Sequence, residues 1–595
     1  MSPLGDAGGM PRELPRSLVL VLLAAACGDS TRESASESVS ASATPGGPTS
    51  EPTTTPTTAP TTASGESETG GVSGTGNTGS GPTSTVASDP TGDPSGNPSS
   101  EPSTGSGPKF DVGGTGGPET DSTTGPPVDL CKVQDDMNAI GECDKEAPPN
   151  SFEPEIQWAW TGPNGDQFSI VTPLVANLTD DNQDGAIDLC DIPDVVVVAS
   201  PSSGQPNIVG HIYVLDGLTG ALHFQIADAV DHTVTPALGD IDGDGLPEIV
   251  TSIVGGNPVA FEHDGTKKWT SASNWPEVYS GSIALADADN DGDVEILAGN
   301  RLFDHNGTLL FTAPQPAGNW SSSAFADLDG DKDQEVVLGH AAYHHTGAQY
   351  YVSGVGPGYP SIANLDLDPE PEVLVTNMNG LSLLNHDGSV IYQDQRPTGD
   401  FPGGTTWLRP STVHDFDGDG KSEFATSSAN NYTTYKPIGP AILWKAAVSD
   451  QSGIAAGTAF DFLGDGVAEA MYADEQFMFI FDGKGQVLLK IPRSSGTLSE
   501  YPIVADIDND GSAEIVVVSC QYMQPQSPTV QVIRDKMDRW IQARRIWNQH
   551  TYHVTNVRED GTIPQFEAPS WKQLNTFRTN SQIEGGGLCK PPIPQ

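Results

Sequence analysis

From about Leu130 onward, short runs of Val, Ile, Leu, Phe and Trp alternate with clusters of Gly, Asp and Asn. Apolar runs of strand length, bounded on both sides by turn residues, predict β-strands. The separators repeat. DIDGDGLPE from Asp240, DADNDGDVE from Asp287, DFDGDGKSE from Asp415 and DIDNDGSAE from Asp506 share the form D-x-D-x-D-G-x-x-E. Each copy lies between two β-prone runs, as in SIALAD before and VEILAG after the loop at Asp287. Some 20 residues further on, a second turn signal (HDG at 263–265, HNG at 305–307, HDG at 386–388, DGKG at 482–485) joins two more apolar runs, as in RLFDHNGTLLF and MFIFDGKGQVLLK. Two strands around an acidic loop and two around a hairpin make a four-stranded unit.

Four weaker copies bring the total to eight. DDNQDGAIDLCD from Asp180 has EF-hand-like spacing, with Asp180, Asn182, Asp184, Asp188 and Asp191 at positions one, three, five, nine and twelve. DLDGDKDQE from Asp327 has Lys332 in place of the glycine, NLDLDPEPE from Asn364 has Pro369 there, and DFLGDGVAE from Asp461 has Leu463 at position three. Successive starts lie roughly 37 to 60 residues apart, the range in which a propeller blade is the repeating unit. The expectation is therefore an all-β fold, a β-propeller of eight blades, or seven if the first and last repeats share one. The run EIQWAW at 155–160 can supply a closing strand.

The loop chemistry points to Ca²⁺, which takes six to eight oxygen ligands. Acids at positions one, three and five can converge on one point, position seven can offer its carbonyl, and the acid at nine can close the far side. Glycine at six permits the sharp reversal. The candidate ligands are Asp180, Asn182, Asp184, Asp188 and Asp191; Asp240, Asp242, Asp244 and Glu248; Asp287, Asp289, Asp291 and Glu295; Asp327, Asp329, Asp331 and Glu335; Asp366, Asp368 and Glu372; Asp415, Asp417, Asp419 and Glu423; Asp461, Asp465 and Glu469; and Asp506, Asp508, Asp510 and Glu514. Without a cation such loops oppose themselves, since like charges about 4 Å apart repel by roughly 4 kcal/mol at an effective dielectric of 20.

Composition changes the picture at the N-terminus. Of the 595 residues, those from about Ser30 to Asp129 are almost all Ser, Thr, Pro and Gly, too few of them apolar to offset ordering entropy. This stretch, 28–129, reads as a disordered linker. Before it, Arg12 and Arg16 precede an apolar run, 18–26, too short to span a bilayer, with Met10 a fitting start. It reads as a signal peptide. Ala24, Ala25 and Ala26 directly before Cys27 resemble a bacterial lipoprotein box, in which Cys27 is acylated, so residues 1–27 are expected to be removed or lipidated, with plain secretion the alternative. The formal net charge of −52 argues against nucleic acid as a partner, because phosphate binding needs Lys and Arg. Five further cysteines, Cys131, Cys143, Cys190, Cys520 and Cys589, suit an exported chain. Cys131 with Cys143 can close a local loop, and Cys589 can staple the tail through Cys520 or Cys190.

The acidic repeats resemble the FG-GAP or VCBS repeats of integrin α-type propellers and bacterial exported proteins, over about 157–545. The resemblance implies structural calcium in the loops just quoted, with partners bound elsewhere on the propeller. The expected layout is a propeller over 130–545 and a C-terminal tail, 546–595, packed on it. The expected function is a surface-tethered, non-enzymatic binding or adhesion module for a protein or glycan, meeting the membrane only through its lipid. Some eight-bladed calcium propellers that this layout resembles are rhamnogalacturonan lyases, so the alternative is a carbohydrate-active propeller, lectin or lyase.

Two other features stand out. Arg534, Lys536, Arg539, Arg544 and Arg545 form the one basic concentration, read either as partners of nearby acids on the outer hairpin of the last blade or as an anion patch. His550 and His553 have a spacing that can ligate a transition metal but lack a third nitrogen or sulfur nearby, which favours structural roles. No Gly-x-Ser-x-Gly, His-Glu-x-x-His or phosphate-loop signature is present.

Overall fold

The computed structural model describes residues 129–593 except 136, 138–139, 203–206, 277, 367, 398–408, 429, 451–454 and 522–526. The signal peptide, Cys27 and nearly all of the linker lie outside the described residues.

Eight four-stranded antiparallel sheets form a β-propeller. Blades 1 to 7 are each continuous in sequence, at 174–225, 237–270, 283–312, 324–352, 359–395, 412–447 and 457–492. A short pair through Val230–Asp231 extends blade 1. Blade 8 takes three strands from 503–535 and its outer strand from Pro154–Trp160, which pairs antiparallel with Val530–Asp535. The run at 155–160 thus closes a ring of eight rather than seven. It also replaces the expected outer hairpin, because the chain leaves blade 8 after Asp535.

Burial orders the strands within a blade. In blade 3, Ile283–Ala286 and Glu295–Ala298 are buried throughout, whereas Leu309–Thr312 alternates. First strands are neighbours from blade 1 through blade 4 and from blade 5 through blade 7, so first strands line the axis and fourth strands lie outside. Neighbouring blades share their cores around the whole ring. One cluster joins blades 8, 1 and 2, and others join 2 with 3, 3 with 4, 4 through 6, 6 with 7, and 7 with 8.

The hairpin glycines have a packing role that the sequence pattern did not show. The outer strand of one blade sets an aromatic ring on the hairpin glycine of the next. A Cβ built on Gly307 would fall 2.6 Å from Trp269, on Gly388 2.4 Å from Tyr351, and on Gly485 2.6 Å from Trp444. The same clash recurs at the closing junction, 2.5 Å between Gly220 and Trp158. These glycines have positive φ, so they serve both the turn and the interblade contact.

The C-terminal segment does more than pack on the propeller. It supplies hydrogen bonds to the inner strands of seven blades, which would otherwise present bare edges, and in blade 4 to Ser323 directly before the inner strand. Val175 and Trp547 exchange backbone bonds of 2.9 Å, and Leu238 N–H donates to Asn548 O at 2.8 Å. Gln549 accepts from Leu285 N–H, Thr551 donates to Ser323 O, and Arg578 donates to Pro360 O. Val413 pairs with Phe577, Thr458 donates to Arg578 O, and Asn580 donates to Val504 O. The segment therefore fills the axis.

The disulfides differ from both sequence expectations. Cys131 pairs with Cys190, and Cys143 pairs with Cys589, while Cys520 stays a buried thiol. Residues 131 and 143 are close in sequence but separate in space: the first docks on the acidic loop of blade 1, the second beside the C-terminal strand Gly587–Lys590.

Candidate metal-binding loops

Each acidic loop joins the first two strands of its blade, and its carboxylates first organise their own backbone. The position-one Asp accepts the N–H of position six: Gly245 to Asp240 at 3.0 Å, Gly292 to Asp287 at 2.9 Å, Gly420 to Asp415 at 2.6 Å, Gly466 to Asp461 at 2.7 Å and Gly511 to Asp506 at 3.2 Å. The position-five Asp accepts the N–H of position seven, as Asp244, Asp291, Asp331, Asp368, Asp419, Asp465 and Asp510 all do.

The position-nine Glu opens the second strand. In seven loops its Oε2 accepts the N–H of position two at 2.7–3.1 Å, in Glu248, Glu295, Glu335, Glu372, Glu423, Glu469 and Glu514. The substitutions at Lys332, Pro369 and Leu463 leave this link intact. One oxygen of each Glu thus fixes the loop while Oε1 faces the other carboxylates.

Burial penalises the charge on these groups. It pushes Glu248, Glu295 and Glu335 up to about 8, Glu372 and Glu423 to about 7, and Glu469 and Glu514 well above the usual carboxylate range. At position one, burial raises Asp287 to about 6, Asp461 to about 7 and Asp506 to about 8. Buried carboxylates that crowd one another need a proton or a cation.

Blade 8 tests the fit to a cation most closely. Asp506 and Glu514 are fully buried, and Asp506 Oδ1 and Glu514 Oε1 have no hydrogen-bond partner. Around them, Asp508 Oδ2 accepts from Gln157 Nε2 at 2.7 Å, and Asp506 Oδ2 accepts from Gln542 Nε2 at 3.1 Å. Two orphaned carboxylate oxygens in an all-oxygen cluster suit a hard divalent ion.

The loop of blade 1 departs from the expected register. Asp180 accepts from Asp184 and Gly185 N–H groups as the other position-one acids do, and Asn182 accepts from Asp184. Asp188 accepts from Cys190, and both oxygens of Asp191 are taken up by the N–H groups of Asp181, Asn182 and Asp188. The counterpart of the position-nine acid is Asp194, which the sequence reading missed. Asp194 opens the second strand, accepts Leu178 N–H at 2.9 Å, is raised by burial to about 8, and lies 3.4 Å from His223 Nε2. Its signal was the acid directly before VVVVA, in register with the acid before EILA's apolar run in blade 3.

Sequence reasoning also missed bases that reach Oε1. Lys268 Nζ bonds Asp242, Glu248 Oε1 at 3.1 Å and Glu262 at 3.0 Å. Lys436 Nζ lies 2.6 Å from Asp417, 3.2 Å from Asp419 and 2.6 Å from Glu423 Oε1. His344 Nδ1 lies 3.0 Å from Glu335 Oε1. Several acidic clusters, among them Asp240, Asp242 and Glu248, have ligand atoms close enough together to hold a metal ion.

The other candidates have structural partners, except Lys536, which is exposed. Arg534, Arg539, Arg544 and Arg545 pair with Glu155, Asp535, Asp135 and Glu559, so these bases are neutralised rather than displayed. His553 bonds Glu567 at 2.7 Å and stacks on Phe577. His550 is buried between Tyr359 and Tyr501, where desolvation holds it neutral, well below the usual imidazole range.

These features define an eight-bladed propeller with acidic loops between its inner strands. Residues 240–298, from the loop of blade 2 through the second strand of blade 3, match the FG-GAP-like repeat family. No curated protein sequence matches the chain. Among solved structures, the Vibrio cholerae biofilm matrix protein Bap1 is similar in fold, with a TM-score of 0.63 at 22% identity, over 75% of this chain and 100% of that one. The exotype rhamnogalacturonan lyase YesX matches with a TM-score of 0.45 at 16% identity, over 65% of this chain and 75% of that one. A Bacillus licheniformis rhamnogalacturonan lyase matches with a TM-score of 0.45 at 17% identity, over 73% and 82%. At those TM-scores the lyases lend no argument to a catalytic reading.

Proposed function

We propose that this protein is an exported, calcium-stabilised propeller, tethered to the cell surface by a lipid on Cys27, that acts as a non-enzymatic binding or adhesion module. The observation that carries the calcium reading is the orphaned pair of buried oxygens, Asp506 Oδ1 and Glu514 Oε1. Asp506, Asp508, Asp510 and Glu514 would hold the ion in blade 8, and Asp287, Asp289, Asp291 and Glu295 in blade 3. A bound ion would supply charge compensation that ties the first two strands together.

Three observations support the binding role. The acids are committed to loop architecture, the axis is filled by the C-terminal segment, and two disulfides suit an oxidising compartment. Bap1 is a biofilm matrix protein, and its likeness to this chain in fold makes that kind of extracellular role one the scaffold can carry. No helix among the described residues is long and apolar enough to cross a membrane, and the proposed attachment is the lipid on Cys27. The partner would be a protein or glycan met on the propeller surface, with nucleic acid disfavoured by the acidity. A linker of about 100 residues reaches roughly 50 to 60 Å when flexible, enough to lift the propeller off the membrane. Protease accessibility on whole cells should therefore fall when residues 28–128 are deleted; release of unsaturated product from pectin would instead establish a lyase.

A further inference from the structure

Two positions in each blade form a wall beside the acidic loop. One ends or directly follows the third strand: Asp216, Glu262, Asp304, His344, Asn385, Lys436 and Asp482 in blades 1 to 7. The other is the residue skipped where third and fourth strands shift register. The pairing passes from Ala260–Trp269 to Phe261–Lys267 and so bulges out Lys268. The equivalent shift bulges out His223 in blade 1 and Leu310 in blade 3. Such a bulge re-aims one side chain. In blade 2 that side chain is an ammonium which meets the position-three and position-nine carboxylates, and in blade 6 Lys436 does the same from the other wall position.

We infer that the wall lysines take the place of the metal ion in blades 2 and 6, so that these two loops are held together without calcium although their acid sequences are complete. An ammonium bonded to Glu248 Oε1 or Glu423 Oε1 occupies the oxygens that a cation would need, and its charge repels a second cation at that range. Lys268 is partly enclosed, with 17% of its side chain exposed, and bonds three carboxylates at once, so it is not a surface pair that solvent readily screens. Among the described residues no Lys, Arg or His lies within ion-pairing distance of Glu295, Glu372, Glu469 or Glu514, so in blades 3, 5, 7 and 8 no base takes the place of a cation at Oε1. In blade 8, Arg545 and Arg534 act on the Asp residues of the loop only from longer range. The inference rests on the calcium reading above and divides six of its eight loops into two kinds.

Ion counting on the full chain separates the possibilities. Tightly held calcium is measured by elemental analysis after equilibrium dialysis, alongside melting in chelator. Lys268→Met with Lys436→Met should raise the count by about two ions per chain, and Leu310→Lys should lower it by about one. In chelator the double methionine variant should melt lower than the parent, since six carboxylates lose the base that pairs with them, and calcium should restore it. A count that the methionine pair leaves unchanged, on a parent that binds calcium, overturns this inference alone. A parent that binds no calcium overturns the calcium reading and this inference with it.

Discussion

Glu514 shows how one carboxylate serves two ends. Its Oε2 fixes Ile507 N–H at 3.0 Å, while Oε1 lies buried without a partner beside Asp506. Glu514→Gln keeps the backbone acceptor and removes the charge. In chelator at neutral pH this variant should be more stable than the parent by about 1–2 kcal/mol, because Gln needs no proton taken up on folding to neutralise the buried position. In calcium the order should reverse, and thermal melts in the two buffers check the crossing. The pH dependence follows from the same groups. Burial lifts Glu295 and Glu335 to about 8 from the usual 4.5, so between those values the folded state holds protons that the unfolded state has released. The contribution of these groups to stability is then fully present below about 4.5 and is lost as pH rises towards 8. The metal-free protein should accordingly melt lower at pH 8 than at pH 5.5, and saturating calcium, which holds the carboxylates ionised, should flatten that slope.

At the scale of the element, the acidic loops were legible because metal-type spacing and strand periodicity are both local. D-x-D-x-D-G-x-x-E gives the turn, the ligand-type acids and the start of the next strand within nine residues. The bases were not legible. Lys268 reaches its loop only through a bulge in the fourth strand, and Lys436 from the end of the third, so their role depends on sheet register rather than on any motif. Asp194 escaped for a related reason: an insertion of acidic sequence around Asp180 offered a better-looking motif than the acid that opens the strand. The aromatic interlocks also depend on a neighbour outside the blade. Gly388 reads as a plain turn glycine, yet its φ of 79° and the Tyr351 ring leave no room for a side chain. Gly388→Ala should destabilise by about 1–3 kcal/mol, whereas Gly439→Ala, with nothing near its Cβ position, should suffer only the backbone penalty. Chemical denaturation of the two variants would expose the difference.

For the whole molecule, closure is a joint act of both ends of the described chain. Pro154–Trp160 completes blade 8, Cys143 joins Cys589, and residues 547–580 bond every blade at or directly beside its inner strand. The sequence showed the repeat number and the closing run but not the axial segment, whose bonds come from scattered Asn, Arg and backbone groups without period. It offered a local Cys131–Cys143 loop and a Cys589 staple through Cys520 or Cys190, whereas the ring joins Cys143 to Cys589, 446 residues apart. The central claim is that cations in a subset of the acidic loops help hold this ring shut. Extracellular calcium modules bind at roughly 10⁻⁴ to 10⁻³ M, and a tenfold excess adds about 1.4 kcal/mol per occupied site. Calorimetric melting of the full chain in millimolar calcium and then in chelator tests this most directly. The account predicts one cooperative transition whose midpoint falls on chelation and recovers when calcium is returned; superimposable curves in the two buffers would contradict it.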